Sequence, residues 1–318
     1  MNKEVSMPRG GSTKLPEGVV PAAPMDIGEV ANPPFAILPD PSQLFLKRSE
    51  RLATLAPGHD LQGYLEFLAA LTRAQHDVQA ELAPVKLPSP DKLLTAREHA
   101  MPPISFMQVD LDEVADTAFV KMAGFLDAAT LTDVSRKAVE KVGSVSPGER
   151  QTMMRAVLLD EVPEVAIAEH VLAAAALQVH FARLAVRLDV STLAPIAPGA
   201  CPACGSAPVS SMVVGWDGCV GTRFCTCSIC QTNWHVVRVR CLTCDAEKGI
   251  SYHSIDGGNP LIMGETCENC QSYVKILHHY KDAALDPVAD DVASLALDLV
   301  LGREGWGRAS ANPFLLGY

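Results

Sequence analysis

Apolar residues recur with helical spacing through most of the chain before residue 190. Asp40 and Pro41 suit the N-cap and first turn of a helix that Pro57-Gly58 ends. A second helix is expected from about Asp60, because the apolar residues that follow it fall on one helical face. The two stripes consist of Phe45, Leu52 and Ala56, and of Leu61, Tyr64, Leu65, Leu68, Leu71, Val78 and Leu82.

The same periodicity returns from residue 111 to 188, after a proline-punctuated stretch at 83–109 that we expect to be mostly loop. Breaks are predicted near Gly143 and at Pro147-Gly148. The last helix, from Glu164 to Leu188, is apolar on most sides, so it is predicted to be the central helix of a bundle. We do not expect it to span a membrane, because it is short and polar residues interrupt it. These are Glu169, Gln178, His180, Arg183 and Arg187.

Beyond residue 270 the pattern predicts a strand at 273–277 and then a final helix with Pro287 in its first turn. One stripe of that helix is apolar. Acidic residues occupy the remaining face, which we expect to be solvated, as charged helix faces usually are. The apolar stripe is Val288, Val292, Leu295 and Leu299, and the acidic residues are Asp290, Asp291 and Asp298.

Composition narrows the class of protein. The chain has 318 residues, 48% of them hydrophobic but only 5% aromatic, and a formal net charge of -11. This length allows two ordinary domains or one domain with small modules. Prolines scattered through residues 1–39 without a sustained period predict a mobile tail. The first residues contain no apolar export signal, so we expect a cytoplasmic protein.

All 10 cysteines lie between residues 201 and 270. Eight of them form four C-x-x-C pairs, a spacing that lets a tight turn direct two sulfurs to one ion. A single pair would also suit a thioredoxin-type redox motif, but four pairs in one segment favour metal binding. In a reducing cytoplasm such clusters are ligands or redox groups rather than disulfides.

The spacing of the pairs indicates a duplication. The first and second pairs enclose 22 residues, as do the third and fourth, so the second half repeats the first at an offset of 40. Gln231 then matches Gln271, and Thr232 matches Ser272. Crossed pairing, first pair with third, is the alternative. We assign one metal ion to Cys201, Cys204, Cys227 and Cys230 and a second to Cys241, Cys244, Cys267 and Cys270.

The cysteines leave the metal open between iron and zinc, since four thiolates accept either ion. The first pair has the C-P-x-C-G form of rubredoxins and zinc ribbons, in which Gly205 can adopt a positive φ. The other three pairs are followed by Gln231, Asp245 and Gln271, so the rubredoxin likeness is strong at the first pair alone.

Cys219 and Cys225 do not belong to any pair. We expect them to be small buried apolar residues, with spare thiols near the metal sites as the alternative. Eight thiolates already complete two tetrahedra, so the histidines of this region are expected to be ordinary polar residues rather than ligands. They are His235, His253, His278 and His279.

These patterns together predict an α+β protein with several domains. The mobile tail is followed by an all-α helical domain and then by two tandem rubredoxin-like or zinc-ribbon β modules, the second of which carries the C-terminal helix. The boundaries are 1–39 for the tail, 40–196 for the helical domain, 200–239 for the first module and 240–318 for the second.

Two functional classes are disfavoured. The segment 201–280 has five cationic residues against six acidic ones, and two four-thiolate sites would make it still more negative, so nucleic-acid binding is not expected. Hydrolytic or transfer catalysis has no support, because no P-loop, G-x-S-x-G or H-E-x-x-H motif occurs and a closed four-thiolate site has no position for water.

Several long motifs resemble the formate dehydrogenase accessory protein family, FdhE. They cover almost everything from residue 38 onward. The proline-rich start and the extra Cys219 and Cys225 depart from the family pattern. The motifs are L-P-D-P-S-Q-L-F at 38–45, R-L-A-T-L-A-P-G-H at 51–59, Y-L-E-F-L-A-A-L at 64–71, C-P-A-C-G-S-A-P-V-S-S at 201–211, C-x-x-C-x-T-x-W-H-V-V-R at 227–238, V-A-D-D-V-A-S-L at 288–295 and N-P-F-L at 312–315.

The resemblance implies a cytoplasmic maturation factor rather than an enzyme. It would contact the catalytic subunit of respiratory formate dehydrogenase before that subunit is exported, with the eight paired cysteines as functional residues. The family-level expectation for the metal is a rubredoxin-like iron, and zinc is the conservative one. A rubredoxin-like electron-transfer module acting on a client's redox centre is the alternative function, and self-association is left open.

Overall fold

The structure, a computed structural model, describes residues 32–317. Its first part is helical, as predicted. The carboxylate of Asp40 caps the first helix by accepting a hydrogen bond of 3.0 Å from the backbone N–H of Ser42. The stretch at 83–109 is loop except for one short helix. In this part the described helices are α1 (Pro41–Leu55), α2 (Gln62–Val78), α3 (Pro90–Glu98), α4 (Glu113–Gly124), α5 (Asp133–Ser144), α6 (Pro147–Leu159) and α7 (Ile167–Ala185).

Helix α7 is the centre of this domain, as its apolar composition predicts. It packs against α4, α5 and α6, and Ala173–Ala176 are buried in the contact. Small side chains there let the neighbouring helices approach closely. The segment Glu164–Ala185 is long and apolar enough to cross a membrane, but 72% of its apolar window is buried inside the protein. Such burial is typical of a core helix.

The second part consists of two three-stranded antiparallel ribbons with the same layout. In each ribbon the middle strand pairs with both of its neighbours. The hydrogen-bonded turn between the second and third strands carries the second cysteine pair. The strands are β2 (Pro208–Val213), β3 (Arg223–Cys227) and β4 (Asn233–Val236) in the first ribbon and β5 (Ile250–His253), β6 (Ile262–Cys267) and β7 (Ser272–Leu277) in the second.

The two ribbons are joined into one sheet. Strand β2 pairs in parallel with β7, with Ser211 opposite Ile276. Two short strands complete the sheet: β1 (Ala36–Ile37) pairs with β4, and β8 (Gly307–Arg308) pairs with β7. Strand β1 belongs to the end of the segment predicted as a mobile tail; residues 1–31 of that segment lie outside the described part of the chain.

A buried ion pair links the ribbons. Arg223 of β3 donates hydrogen bonds of 2.8 and 3.0 Å to the carboxylate of Glu265 on β6. The Ser211 hydroxyl accepts a 2.9 Å bond from the same guanidinium, and Tyr252 donates its hydroxyl to Glu265 at 2.9 Å. Burial, together with the Glu265 charge, raises the pKa of Tyr252 to about 12. The phenol therefore stays a donor at neutral pH, and every charge in the cluster has a partner.

The end of the chain differs from the prediction in two ways. The final helix is divided at Ser294 into α8 (Ala289–Ala293) and α9 (Leu295–Arg303), and Leu299 faces solvent. The acidic face expected to be solvated is buried, so that expectation was wrong. The three carboxylates Asp290, Asp291 and Asp298 are at most 9% exposed.

These carboxylates are buried because cations distant in sequence reach them. Lys275 of β7 places its Nζ 3.2 Å from Asp291 and 2.5 Å from Asp298. Arg308 of β8 contacts the same two carboxylates at 2.6 and 2.8 Å. Burial alone would raise the pKa of Asp291, but the charges of Lys275 and Arg308 hold it below its usual value. Asp290 is paired separately, with Arg51 of α1 at 2.6 Å.

We expect Lys275→Met to lower the free energy of unfolding by about 3–5 kcal/mol at neutral pH, because it leaves buried carboxylates without their central cation. Urea denaturation measures the change. Lys141→Met is the matched control: Lys141 pairs with Glu169 at the surface, and its loss should change stability by less than about 1 kcal/mol. Similar losses of unfolding free energy in both variants would contradict the stabilising role of Lys275 among the buried carboxylates Asp291 and Asp298.

Candidate metal centres

The structure brings together the two sets of four cysteines predicted from the repeat. In each set the four Sγ atoms lie within 4.8 Å of one another. A tetrahedral shell with metal–sulfur bonds of about 2.3 Å requires sulfurs roughly 3.7 Å apart. Each group could therefore hold one metal ion. Across the two pairs of each group, the Sγ–Sγ distances are 3.5 Å for Cys201–Cys230, 3.4 Å for Cys204–Cys227, 3.6 Å for Cys241–Cys270 and 3.7 Å for Cys244–Cys267. We call the first group site 1 and the second group site 2.

Backbone amides inside the turns point at the sulfurs. The N–H groups of Ile229 and Cys230 donate to the sulfur of Cys227 at 3.4 and 3.3 Å. In site 2 the N–H groups of Thr243 and Cys244 donate to Cys241 at 3.4 and 3.5 Å. Such donors stabilise thiolates, and so prepare these two turns to bind a cation.

The residue after each pair has a left-handed backbone, although only one of the four is glycine. For a non-glycine residue this conformation costs about 1–2 kcal/mol. The sequence indicates the rubredoxin-like turn at the first pair alone, whereas all four pairs share the backbone conformation. The φ angles are 84° at Gly205, 63° at Gln231, 62° at Asp245 and 54° at Gln271.

The two glutamines are held by equivalent side-chain bonds. Gln231 donates its amide to the carbonyl of Ser228 at 3.0 Å, and Gln271 donates to the carbonyl of Glu268 at 2.8 Å. Each bond closes the turn that carries the second cysteine pair of its ribbon and offsets part of the backbone cost. The repeat at an offset of 40 residues therefore includes these polar contacts as well as the cysteines.

Site 1 lies in the main core, between the helical domain and the sheet. All four of its cysteines have 0% relative exposure. The loop after α3 covers the first pair, where the N–H groups of Ile104 and Phe106 donate to the carbonyls of Ala203 and Cys204 at 3.1 and 2.9 Å. The second pair contacts α7, since Gln178 donates to the carbonyl of Ser228 at 2.9 Å.

Helix α1 also reaches site 1. The buried guanidinium of Arg48 donates to the side-chain oxygen of Gln231 at 2.8 Å and to Asp286 at 3.0 Å. One arginine therefore connects the helical domain, the turn after the second cysteine pair and the segment that precedes α8. Neither Arg48 nor Gln178 was found from the sequence, because each lies in a helix far from the cysteines and has no local motif.

Site 2 lies nearer the surface. Cys241 and Cys267 are 5% and 2% exposed, whereas Cys244 and Cys270 are only partly buried. The amide of Asn269 donates to the sulfur of Cys244 at 3.2 Å, and the hydroxyl of Ser272 lies 3.0 Å from the sulfur of Cys270. Ser272 corresponds in the repeat to Thr232, whose hydroxyl lies 3.2 Å from Cys230 in site 1. The Thr232–Ser272 match was the sequence signal for these contacts.

In each site two thiols have a raised pKa and one has a lowered pKa, the lowered ones being Cys230 in site 1 and Cys244 in site 2. Burial raises the pKa of Cys201 and Cys204 in site 1 well above the usual value. A cation is therefore needed there to keep these sulfurs as thiolates. In site 2, the Asn269 amide and the Ala246 N–H lower the pKa of Cys244 to about 6. Burial raises the pKa of Cys241 to about 12, so site 2 also needs a cation to hold all of its sulfurs as thiolates.

The remaining cysteines and histidines stand apart from the two groups. Cys219 and Cys225 are buried, at 6% and 0% exposure, as predicted for small apolar residues. Burial raises the pKa of Cys225 to about 12, so it remains a thiol. The four histidines lie outside both sulfur groups within the described part of the chain. They are His235, His253, His278 and His279.

The fold and the sites define a class: a helical domain joined to a duplicated ribbon that carries two closed four-cysteine groups. Known protein families match the same regions of the chain. Three family models match, described as FdhE, N-terminal, over residues 33–198, FdhE, central domain, over 200–238, and FdhE, C-terminal domain, over 239–315. The chain belongs to the FdhE family.

Individual relatives are similar over nearly their whole length. A Protein FdhE homolog from Rhizobium meliloti is 40% identical over 301 residues, covering 93% of this chain and 97% of that protein. Protein FdhE from Escherichia coli is 33% identical over 288 residues, covering 89% and 91%. The crystal structure of the FdhE protein from Pseudomonas aeruginosa matches with a TM-score of 0.78 and 31% identity, over 89% of this chain and 99% of that one.

We expect Gly205→Ala to lower the free energy of unfolding more than Gly218→Ala does. Both glycines have a positive φ, of 84° and 72°, so each substitution costs about 1–2 kcal/mol in backbone strain. A Cβ at Gly205 would also lie 3.0 Å from Cγ of Pro102, whereas nothing lies within 4 Å at Gly218. Urea unfolding of the metal-loaded variants measures both changes in the free energy of unfolding.

A second control, Gly63→Ala in α2, adds a methyl group to open space and should stabilise by about 0.5–1 kcal/mol. Equal losses for Gly205→Ala and Gly218→Ala would show that the contact between Pro102 and the first cysteine turn does not constrain site 1.

Proposed function

We propose that this chain is an accessory protein for formate dehydrogenase, which binds two metal ions and acts by binding the catalytic subunit of that enzyme. The observation that carries the proposal is membership of the FdhE family over residues 33–315, with both four-cysteine groups in place. The choice of the catalytic subunit as the binding partner rests on the family resemblance. On this proposal the helical domain (40–196) and the two metal modules (200–239 and 240–318) act together.

The geometry of the sulfur groups supports binding rather than catalysis. Four thiolates complete a tetrahedral shell and leave no open position at which water or a substrate could be activated. Site 1 is further enclosed by the core. The free cysteines of the chain suit a reducing compartment, and this supports a cytoplasmic location, where the catalytic subunit would be met before export.

Electron transfer is the second candidate function. It is favoured by the partial exposure of Cys244 and Cys270 and by the hydrogen bonds that reach the sulfurs of site 2. Exposure and hydrogen bonds to sulfur both tune the potential of an iron–thiolate centre. Iron would supply one-electron chemistry in either site, whereas zinc would only stabilise the fold.

Metal content and absorption separate these candidates. Chain purified without oxygen should contain two ions, measured by elemental analysis and compared with the protein concentration. Under the accessory role the metal can be either ion. The electron-transfer role requires iron and visible thiolate-to-iron bands that bleach on reduction. A colourless chain with two zinc ions would exclude electron transfer but leave the accessory role standing.

Capture of the client tests the accessory role directly. The metal-loaded chain is immobilised without oxygen and offered the catalytic subunit of formate dehydrogenase in one experiment and an unrelated exported oxidoreductase in another. We expect retention of the first and not of the second. Chain prepared without either ion should not retain the subunit, because ribbon folding and metal binding are coupled. Absence of retention by a folded chain that contains two ions would refute the proposal.

A further inference from the structure

The two sulfur groups come from one repeat but have different surroundings. In site 1 the residues between the paired cysteines, Pro202-Ala203 and Ser228-Ile229, are all buried along with the cysteines. In site 2 the corresponding residues include Thr243, Glu268 and Asn269, which are exposed. Because the ribbons share one layout, the difference comes from what packs on them rather than from the ligands.

Site 1 cannot lose an ion without opening the core. Its first turn is covered by Pro102, which stands against Gly205, and by backbone bonds from Ile104 and Phe106. Its second turn is held through Arg48 and Gln178, as described above. Release of an ion therefore requires separation of the helical domain from the sheet, which is close to global unfolding.

Site 2 is held mainly by its own ribbon and by two nearby segments. Gly199 of the linker approaches the carbonyl of Leu242, where a Cβ would lie at 2.6 Å, and Gly307 of β8 donates to the carbonyl of Gln271 at 2.9 Å. The first contact lies at Leu242, inside the first turn, and the second at Gln271, just after the second turn. Cys244 and Cys270 are each the second cysteine of a pair, and both lie on the partly exposed side of the group. A local opening of these two turns is enough to reach the ion.

We propose that site 2 is an exchange centre, which takes up and gives up a thiophilic divalent cation in the folded protein, while site 1 keeps its ion as a permanent part of the core. This rests on the metal occupancy of the proposed function. In an exchange the ion moves to a competing soft ligand, and the released thiolates take protons from solvent or bind the next ion. The ion in site 2 can therefore also be reached by the soft ligand atoms of a partner protein.

Chelator kinetics on the folded, zinc-loaded chain test the exchange. An excess of a coloured zinc chelator is added, and its absorbance is followed alongside the circular dichroism of the helices. We expect one ion per chain to leave while the helical signal is unchanged. The second should leave about 100-fold more slowly or only on unfolding, as a difference in opening free energy of about 3 kcal/mol gives. Release of both ions in one phase would overturn the proposal.

Alkylation shows which site has opened. Chain that has lost one ion is treated with iodoacetamide, whose methylene carbon is attacked by a thiolate with loss of iodide, and the modified cysteines are located by mass spectrometry. Modification is expected at Cys244 and Cys270, with Cys204 and Cys230 unmodified until urea is added. Modification of Cys204 or Cys230 first would contradict the assignment.

The repeat supplies a matched pair of variants. Cys244→Ser and Cys204→Ser replace equivalent ligands at the offset of 40. Cys244→Ser should contain one ion, retain the helical signal and lack the fast phase. Cys204→Ser should no longer unfold cooperatively. If this variant does not fold at all, the kinetics of ion release from the wild-type chain still decide between the two outcomes. A wild-type chain with no bound ion would refute the metal occupancy itself, whereas two ions that leave together would refute only the division between the sites.

Discussion

The burial of the four cysteines at site 1 is the constraint on which the rest of the structure depends. A divalent ion with four thiolates keeps a net negative charge, and placing it in a core is costly unless polar groups surround it. The chain supplies these groups from backbone amides inside the turns and from Arg48 and Gln178, which reach the second turn from α1 and α7. The helical domain and the sheet are thus held together through the metal turns as well as through apolar contacts.

Duplication and divergence are both visible in the ribbons. The cysteines, the left-handed residues after them, the glutamine side-chain bonds and the hydroxyls of Thr232 and Ser272 recur at the same offset. The surroundings do not recur, because the metal turns of the first ribbon are packed against the helical domain, whereas Thr243, Glu268 and Asn269 in those of the second are exposed. One ligand set therefore has two environments, and the environment distinguishes an enclosed group from a partly exposed one.

Much of this could be predicted from the sequence, since the information was local or periodic. Helical spacing identified the bundle and its central helix, and equal spacers identified which cysteines come together. The prediction failed at Asp290, Asp291 and Asp298, whose cationic partners Lys275, Arg308 and Arg51 lie in other elements. The left-handed turns at Gln231 and Gln271 were missed for a related reason: a side-chain bond makes a residue acceptable where composition alone suggests glycine.

The parallel pairing of β2 with β7 has a consequence for the order of events during synthesis. Ser211 emerges from the ribosome well before Ile276, its partner in the sheet, while the four cysteines of site 1 are already complete at Cys230. The first metal group can therefore assemble on a nascent chain whose β2 edge is still unpaired, and an unpaired strand edge is prone to wrong associations. Until the second ribbon covers that edge, the newly made protein is a folding intermediate with an unpaired strand edge.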